Sequence, residues 1–176
     1  AKMMVLHTVG VCLCSSELQE IKDAIEIAKE MSPGGEEIAT IWADGKKVSW
    51  EAATFVAGTM GDMLDWEDCS WTGHPSAGII PCAWLASEEK HKSGKDLLTA
   101  IVAGYEVYQR IAMAVQPSDL RWKTKGWGLT SWQIFGCIIP IAKLYGFDAR
   151  KVNQAIGVGC ESSTLPTAYH ATTMSD

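Results

Sequence analysis

Positive charge is scarce in this chain: 15 lysines and arginines face 21 aspartates and glutamates over 176 residues, for a net charge of -6. A surface that must grip a polyanionic backbone needs the opposite balance, so nucleic acid is excluded as a partner. There is also no apolar run of about 18 residues or more, the length a membrane-crossing helix needs. The first residues lack a charged region followed by a cleavable apolar core. A soluble, unsecreted, cytoplasmic protein with no membrane partner is the expectation. Zinc-type cysteine spacing is missing as well, since Cys12 and Cys14 form C-x-C and no second pair stands at ligand distance. No structural metal is therefore expected. Cys12, Cys14, Cys82 and Cys137 sit inside apolar, helix-like runs, where a reduced thiol behaves as a small hydrophobe. No internal repeat occurs at solenoid spacing.

What the chain does have is a 47% hydrophobic composition and enough length to bury a real core, as one domain or a large piece of one. The pattern is mostly helical. Positions 3–14 are apolar and read as a buried helix. From Ser16 to Met31, Leu18, Ile21, Ile25 and Ala28 recur at helical spacing, with Ser16 as cap and Pro33-Gly34-Gly35 as the stop. Ile38 to Trp42, Asp44-Gly45 and Val48 give the one β-hairpin signal. Ser49 caps a helix ending near Trp66, and Pro75 opens another that runs to about Glu89.

Ser93, three residues before Asp96, starts a long helix to Val115 through a variant capping box, and Pro117 ends it. The segment 118–128 is irregular and basic. An apolar helix over 129–145 follows, interrupted or kinked at Pro140 and closed by Gly146. Asp148 caps the last helix, which reaches about Glu161. Helices around Val5, Ile101 and Ile138 are apolar on most of their circumference and are expected at the centre. The chain opens inside a helical pattern and closes without a terminating element, which fits a fragment or a chain needing a partner.

Chemistry concentrates between Gly58 and Gly78, where a helical pattern gives way to a loop carrying Asp65, Glu67, Asp68 and then His74. Two site readings stand side by side. Asp62, Asp65 and Asp68 at three-residue spacing would lie on neighbouring helix faces and could hold magnesium for a diphosphate, which resembles the aspartate-rich helices of isoprenoid synthases. The plain alternative is a solvated helix end, although carboxylates there face the negative end of the dipole. In the second reading Asp65 and His74 divide base and acid work on a carbon next to a carboxylate or carbonyl. Its plain alternative is His74 as a cap for the Pro75 helix.

Four stretches, FVAGTMGDMLDWED, GHPSAGIIPCAWLASE, SGKDLLTAIVAGYEVYQRIAMAV and FGCIIPIAKLYGFDARKVNQAIGV, resemble the MmgE/PrpD family. That family includes 2-methylcitrate dehydratase, cis-aconitate decarboxylase and iminodisuccinate epimerase. The resemblance implies a mainly α fold: the helical-bundle large domain, with one short β-hairpin and with the lid domain absent from this chain. Residues 1–176 would be the N-terminal portion of that helical domain. It also implies a homodimer, or a complementing chain, acting on a small di- or tricarboxylate without metal or organic cofactor.

Carried over residue by residue, the family block LDFDDTH followed by HPSA places Asp65 and His74 in the active site. Cys69 stands where the family has a pocket threonine, and a thiol is the poorer donor. Trp127 stands where many members carry a histidine and would wall the pocket; Lys125 or Lys123 could move the proton instead, the plain alternative being solvated loop lysines. His170 approaches the region where pocket residues enter. His7 and His91 read as structural or exposed, and Lys90-His91-Lys92 as a solvated turn. The expected activity is a dehydratase-like lyase with Asp65 as base and His74 as acid or carboxylate ligand. Epimerase and decarboxylase are the alternatives within the family. A non-catalytic helical module needing a partner chain is the alternative outside it.

Overall fold

The computed structural model describes residues 1–32, 38–70, 73–115 and 132–163. Among them are seven helices: α1 Lys2–Ser15, α2 Gln19–Glu30, α3 Trp50–Asp62, α4 Ser76–Glu89, α5 Gly94–Val115, α6 Gln133–Leu144 and α7 Ala149–Ser162. Two short strands, β1 Ala39–Thr40 and β2 Lys47–Val48, pair antiparallel with Ala39 opposite Val48. The fold is therefore mainly α with a small hairpin, as expected. The turn of that hairpin uses left-handed backbone at Ala43 and Gly45.

Most local signals become the elements they predict. Ser49 Oγ accepts from the Ala52 amide at 3.3 Å, and Asp148 Oδ1 accepts from the Lys151 amide at 2.8 Å. The capping box forms in both directions, with the Asp96 amide on Ser93 Oγ and the Ser93 amide on Asp96 Oδ2, each at 3.2 Å. The Ser93 hydroxyl, donating to Asp96 Oδ2 at 2.7 Å, and after it the Ser93 amide pull the Asp96 carboxyl below its ordinary range. Gly146 closes α6 in the left-handed conformation. α6 runs through Pro140 as one element rather than being interrupted.

Three expectations need correction. Ser16 does not cap α2: it ends α1, its hydroxyl donating to the Leu13 carbonyl at 2.7 Å, and α2 begins after Leu18 with no side-chain cap. Its neighbour Ser15 explains why, since Ser15 Oγ bonds the Met60 carbonyl at 2.8 Å and ties this end of α1 to α3. α3 stops at Asp62, short of Trp66. Of the three helices expected at the centre, the one around Val5 is not there, whereas Ile101 of α5 is buried. α1 lies at the surface with Met3 75%, Leu6 68% and Leu13 52% exposed, while α4 is buried along both faces. The apolar circumference of α1 is thus covered only on its Thr8, Val11, Cys12 and Ser15 side by the described residues.

Two clusters of buried side chains meet on α4. One joins α1, α2, the hairpin and α3 through Cys12, Ile21, Ile41, Val56 and Met60, with Leu85 contributed by α4. The other joins α4, α5 and α6 through Ile79, Ile80, Ile101, Tyr108 and Leu144. The second is held tight by small residues. A Cβ on Gly104 of α5 would lie 2.9 Å from the Gly136 carbonyl oxygen of α6 and 3.0 Å from Ile79 Cγ2. Only glycine lets these backbones approach so closely, and α4 is pinned between its neighbours as a result. The site described next sits at the start of this immobilised helix.

Candidate functional site at the α3–α4 junction

The path from α3 to α4 is set by backbone geometry that few sequences tolerate. Asp65 adopts φ +53°, a left-handed conformation that aspartate accepts better than most residues. This reverses the chain just after α3. Asp62, Asp65 and Asp68 therefore do not share a helical face, and the magnesium-binding helix read from their spacing is overturned. The Ser70 and Gly73 amides then bond each other's carbonyls at 2.9 Å, and Gly73 takes φ +124°, which a side chain would strain. His74 and Pro75 follow, and Pro75 with φ -66° opens α4 as its residue type predicts.

Asp68 fastens this loop to the helix. Its Oδ1 accepts from the buried Ser76 amide at 2.8 Å, its own amide donates to Ser76 Oγ at 3.4 Å, and its Oδ2 accepts from Tyr105 Oη of α5 at 3.0 Å. A carboxylate that looked misplaced at the end of α3 thus serves the start of α4, where the helix dipole and the free amides favour it. Burial, reinforced by Asp68, holds the Tyr105 phenol well above its usual range. On the other side, Gln133 Nε2 of α6 donates to the His74 carbonyl at 3.2 Å and the Pro75 carbonyl at 3.1 Å. His74 is positioned by α4, α5 and α6 together.

The fold-back brings Asp65, Glu67 and His74 together, with one donor atom from each lying within 4.8 Å of the others. Asp65 is exposed, His74 is partly exposed and Glu67 is buried, its side chain only 1% accessible. His74 Nδ1 lies 2.9 Å from Glu67 Oε1. That is the separation of an ion pair once the ring is protonated, while Glu67 Oε2 has no hydrogen-bond partner among the described residues. Burial pushes the Glu67 carboxyl above its ordinary range, against its own backbone hydrogen bond. Asp62 and Asp65 push it further up, and His74 works in the opposite direction. Among the described residues no lysine or arginine pairs with Asp65 or Glu67.

The two leading residues read from sequence, Asp65 and His74, are therefore neighbours. Glu67, legible in sequence only as one of the acids of this loop, lies buried beside His74. No local pattern marks it, because its inward turn depends on the left-handed Asp65 two positions earlier. Cys69 is exposed and its Sγ donates to the Ser70 carbonyl at 3.6 Å, outside the three-residue cluster. Lys125, Trp127 and His170, with Arg121 and Lys123, lie outside the described residues. His7 is exposed, with Nε2 2.8 Å from the Trp66 carbonyl, so it steadies the far side of the same loop. His91 is exposed in the turn between α4 and α5.

Comparison with known proteins gives two matches. The model of the MmgE/PrpD N-terminal domain matches residues 1–176. A cis-aconitate decarboxylase-like protein, oryM, of Aspergillus oryzae (strain ATCC 42149 / RIB 40) is 24% identical over 172 residues, covering 91% of this chain and 34% of that protein. The chain thus spans about a third of the length of the curated relative it matches. No solved structure matches it. No helix among the described residues is long and apolar enough to cross a membrane.

Proposed function

From the membership of this chain in the MmgE/PrpD family, we propose that it supplies the N-terminal part of the helical domain of a lyase acting on a small di- or tricarboxylate. The reaction removes or delivers a proton at a carbon next to a carboxylate. One observation carries this reading: a solvent-accessible carboxylate on Asp65 and the imidazole of His74 converge across a loop clamped at both ends. A carboxylate and an imidazole can exchange one proton each with the same substrate when both reach it. Asp65 takes the proton from carbon and His74 protonates the departing hydroxyl, which is dehydration. The homodimer, the cytoplasmic location and the completing part of the domain implied by the resemblance belong to the same proposal.

Decarboxylation is the second reading, favoured by the name of the Aspergillus relative. There carbon dioxide leaves first and His74 protonates the carbanion that remains. Both reactions need His74 as a proton donor, whereas dehydration also needs Asp65 as a base. Incubating the complete protein with citrate-like and succinate-like acids in deuterated water tests both. Loss of α-proton exchange in Asp65→Asn and loss of net dehydration in His74→Ala are the expected results, and exchange and turnover indifferent to both changes refute the assignment. Release of carbon dioxide that survives Asp65→Asn and not His74→Ala selects decarboxylation.

A further inference from the structure

We propose that Glu67 is a positioning residue for His74: its buried carboxylate fixes which way the imidazole faces and which ring nitrogen holds a proton, so that Nε2 is presented to the substrate. The role rests on the lyase function proposed above and adds to it a residue that never touches the reacting carbon. Glu67 cannot act directly. Its side chain is 1% accessible, whereas Asp65 is exposed and His74 partly so, and only those two can meet a substrate.

The contact between the two side chains sets the ring. Glu67 Oε1 lies 2.9 Å from His74 Nδ1, a distance at which two bare lone pairs repel, so a proton belongs between these atoms. An ionised Glu67 therefore selects the Nδ1–H form of the ring and leaves Nε2 to carry or release the proton that the reaction uses. Nδ1 is itself buried, so what His74 exposes is the rest of its ring, where Nε2 lies. The bonds from Gln133 to the His74 and Pro75 carbonyls hold the backbone but leave the imidazole free to turn about its Cβ–Cγ bond. Glu67 supplies that constraint. When Nε2 gives its proton to the departing hydroxyl, the ring passes from imidazolium to neutral, Nδ1–H stays toward Glu67, and no rotation is needed before the next turnover.

Stability gives no reason for a charge at this position. Glu67 Oε2 has no hydrogen-bond partner among the described residues, and burial, with Asp62 and Asp65 after it, works against the ionised carboxyl. A glutamine of the same shape would serve the fold better. A carboxylate kept where its surroundings oppose its charge, and aimed at the one imidazole of the cluster, marks function rather than folding.

The test compares the wild type, Glu67→Gln and Glu67→Asp of the complete protein on the acid that responds in the assay above. Glu67→Gln should lower kcat about tenfold or more while KM stays within about threefold, because the groups that meet the substrate remain and only the ring's orientation is lost. Glu67→Asp restores the charge at shorter reach and should recover part of kcat. Urea melts should find Glu67→Gln no less stable than the wild type, which a merely structural role would reverse. Nitrogen-15 NMR of the His74 ring, assigned with His74→Ala, gives the direct signature. With the ring neutral and Glu67 ionised, the proton should sit on Nδ1 in the wild type and shift toward Nε2 in Glu67→Gln. A folded Glu67→Gln with wild-type kcat or with unchanged ring signals overturns the proposal and leaves the lyase standing, and a loss of stability that accounts for the loss of kcat overturns it too. If the wild type turns over no acid, the lyase reading fails, and the ring signals alone decide whether Glu67 orients His74.

Discussion

The two ends of α4 carry the same kinds of residue and treat them in opposite ways. At the C-terminal end, Glu89 Oε1 accepts from Lys90 Nζ at 2.7 Å, its Oε2 accepts from the Tyr145 hydroxyl, and Lys90 lies 4.2 Å above the Tyr145 ring. Burial works upward on the Glu89 carboxyl, but the bonds to Lys90 and Tyr145 prevail and hold it below its ordinary range. His91 beside it is exposed in the turn. At the N-terminal end, Glu67 is deeper, has one oxygen without a partner, and is pushed above its ordinary range. The lesson is that an acid and a histidine beside a helix end carry no meaning by themselves. What separates a solvated turn from a candidate site is whether the buried charge has been answered.

The comparison breaks most sharply on activity. In the complete protein, His74→Ala should lower dehydration of the responding acid by about 10²–10⁴-fold, the usual weight of a general acid or base, while His91→Ala leaves it unchanged. Equal losses in both variants would mean that the two ends are not functionally distinct.

Stability sharpens it next. Asp68→Ala removes the clamp on Ser76 and Tyr105 and should cost about 1–3 kcal/mol in a urea melt, because a buried amide loses its acceptor. At the other end, Ser93→Ala removes an exposed N-cap and should cost about 1 kcal/mol. A smaller loss for Asp68→Ala than for Ser93→Ala would show that the junction is not held as described.

The smallest effect is one of sign. The Glu67 carboxyl is raised in the folded state above its ordinary 4.5, so its contribution is most favourable below that pH and is lost as pH rises through the folded value. In metal-free buffer at neutral pH, Glu67→Gln should therefore stabilise the fold. Glu89 is lowered, so its contribution is present above 4.5 and is lost as pH falls through the folded value. Glu89→Gln should destabilise at neutral pH. Melts of both variants across pH 3–8 check the two signs, and identical signs would contradict the contrast.

How much of this could be read from sequence follows from the range of each interaction. Caps at Ser49, Ser93 with Asp96, and Asp148 were legible because donor and acceptor are three residues apart and the signal is local. The hairpin and the Pro75 start were legible for the same reason. Ser16 misled, because the choice between ending α1 and capping α2 is made by Ser15 reaching Met60 of α3, 45 residues away. The apolar pattern could not tell which helix would be central, since α1 and α4 read alike and only packing buries one of them. Asp65 and His74 came from the family pattern. Glu67 could be read only as one of the acids of that loop, because the positive φ at Asp65 that shapes the loop leaves no mark in the sequence.

The contrast between the two ends of α4 turns on Glu67 being buried with no lysine or arginine paired to it among the described residues. Carbon-13 labelling of the glutamate side chains allows Glu67 and Glu89 to be titrated in one metal-free sample of the complete protein, assigned by the two glutamine variants. Glu67 should titrate above 4.5 and Glu89 below it. Glu67 titrating at or below Glu89 would show that its charged form is stabilised where it lies, and would contradict the contrast between the two ends.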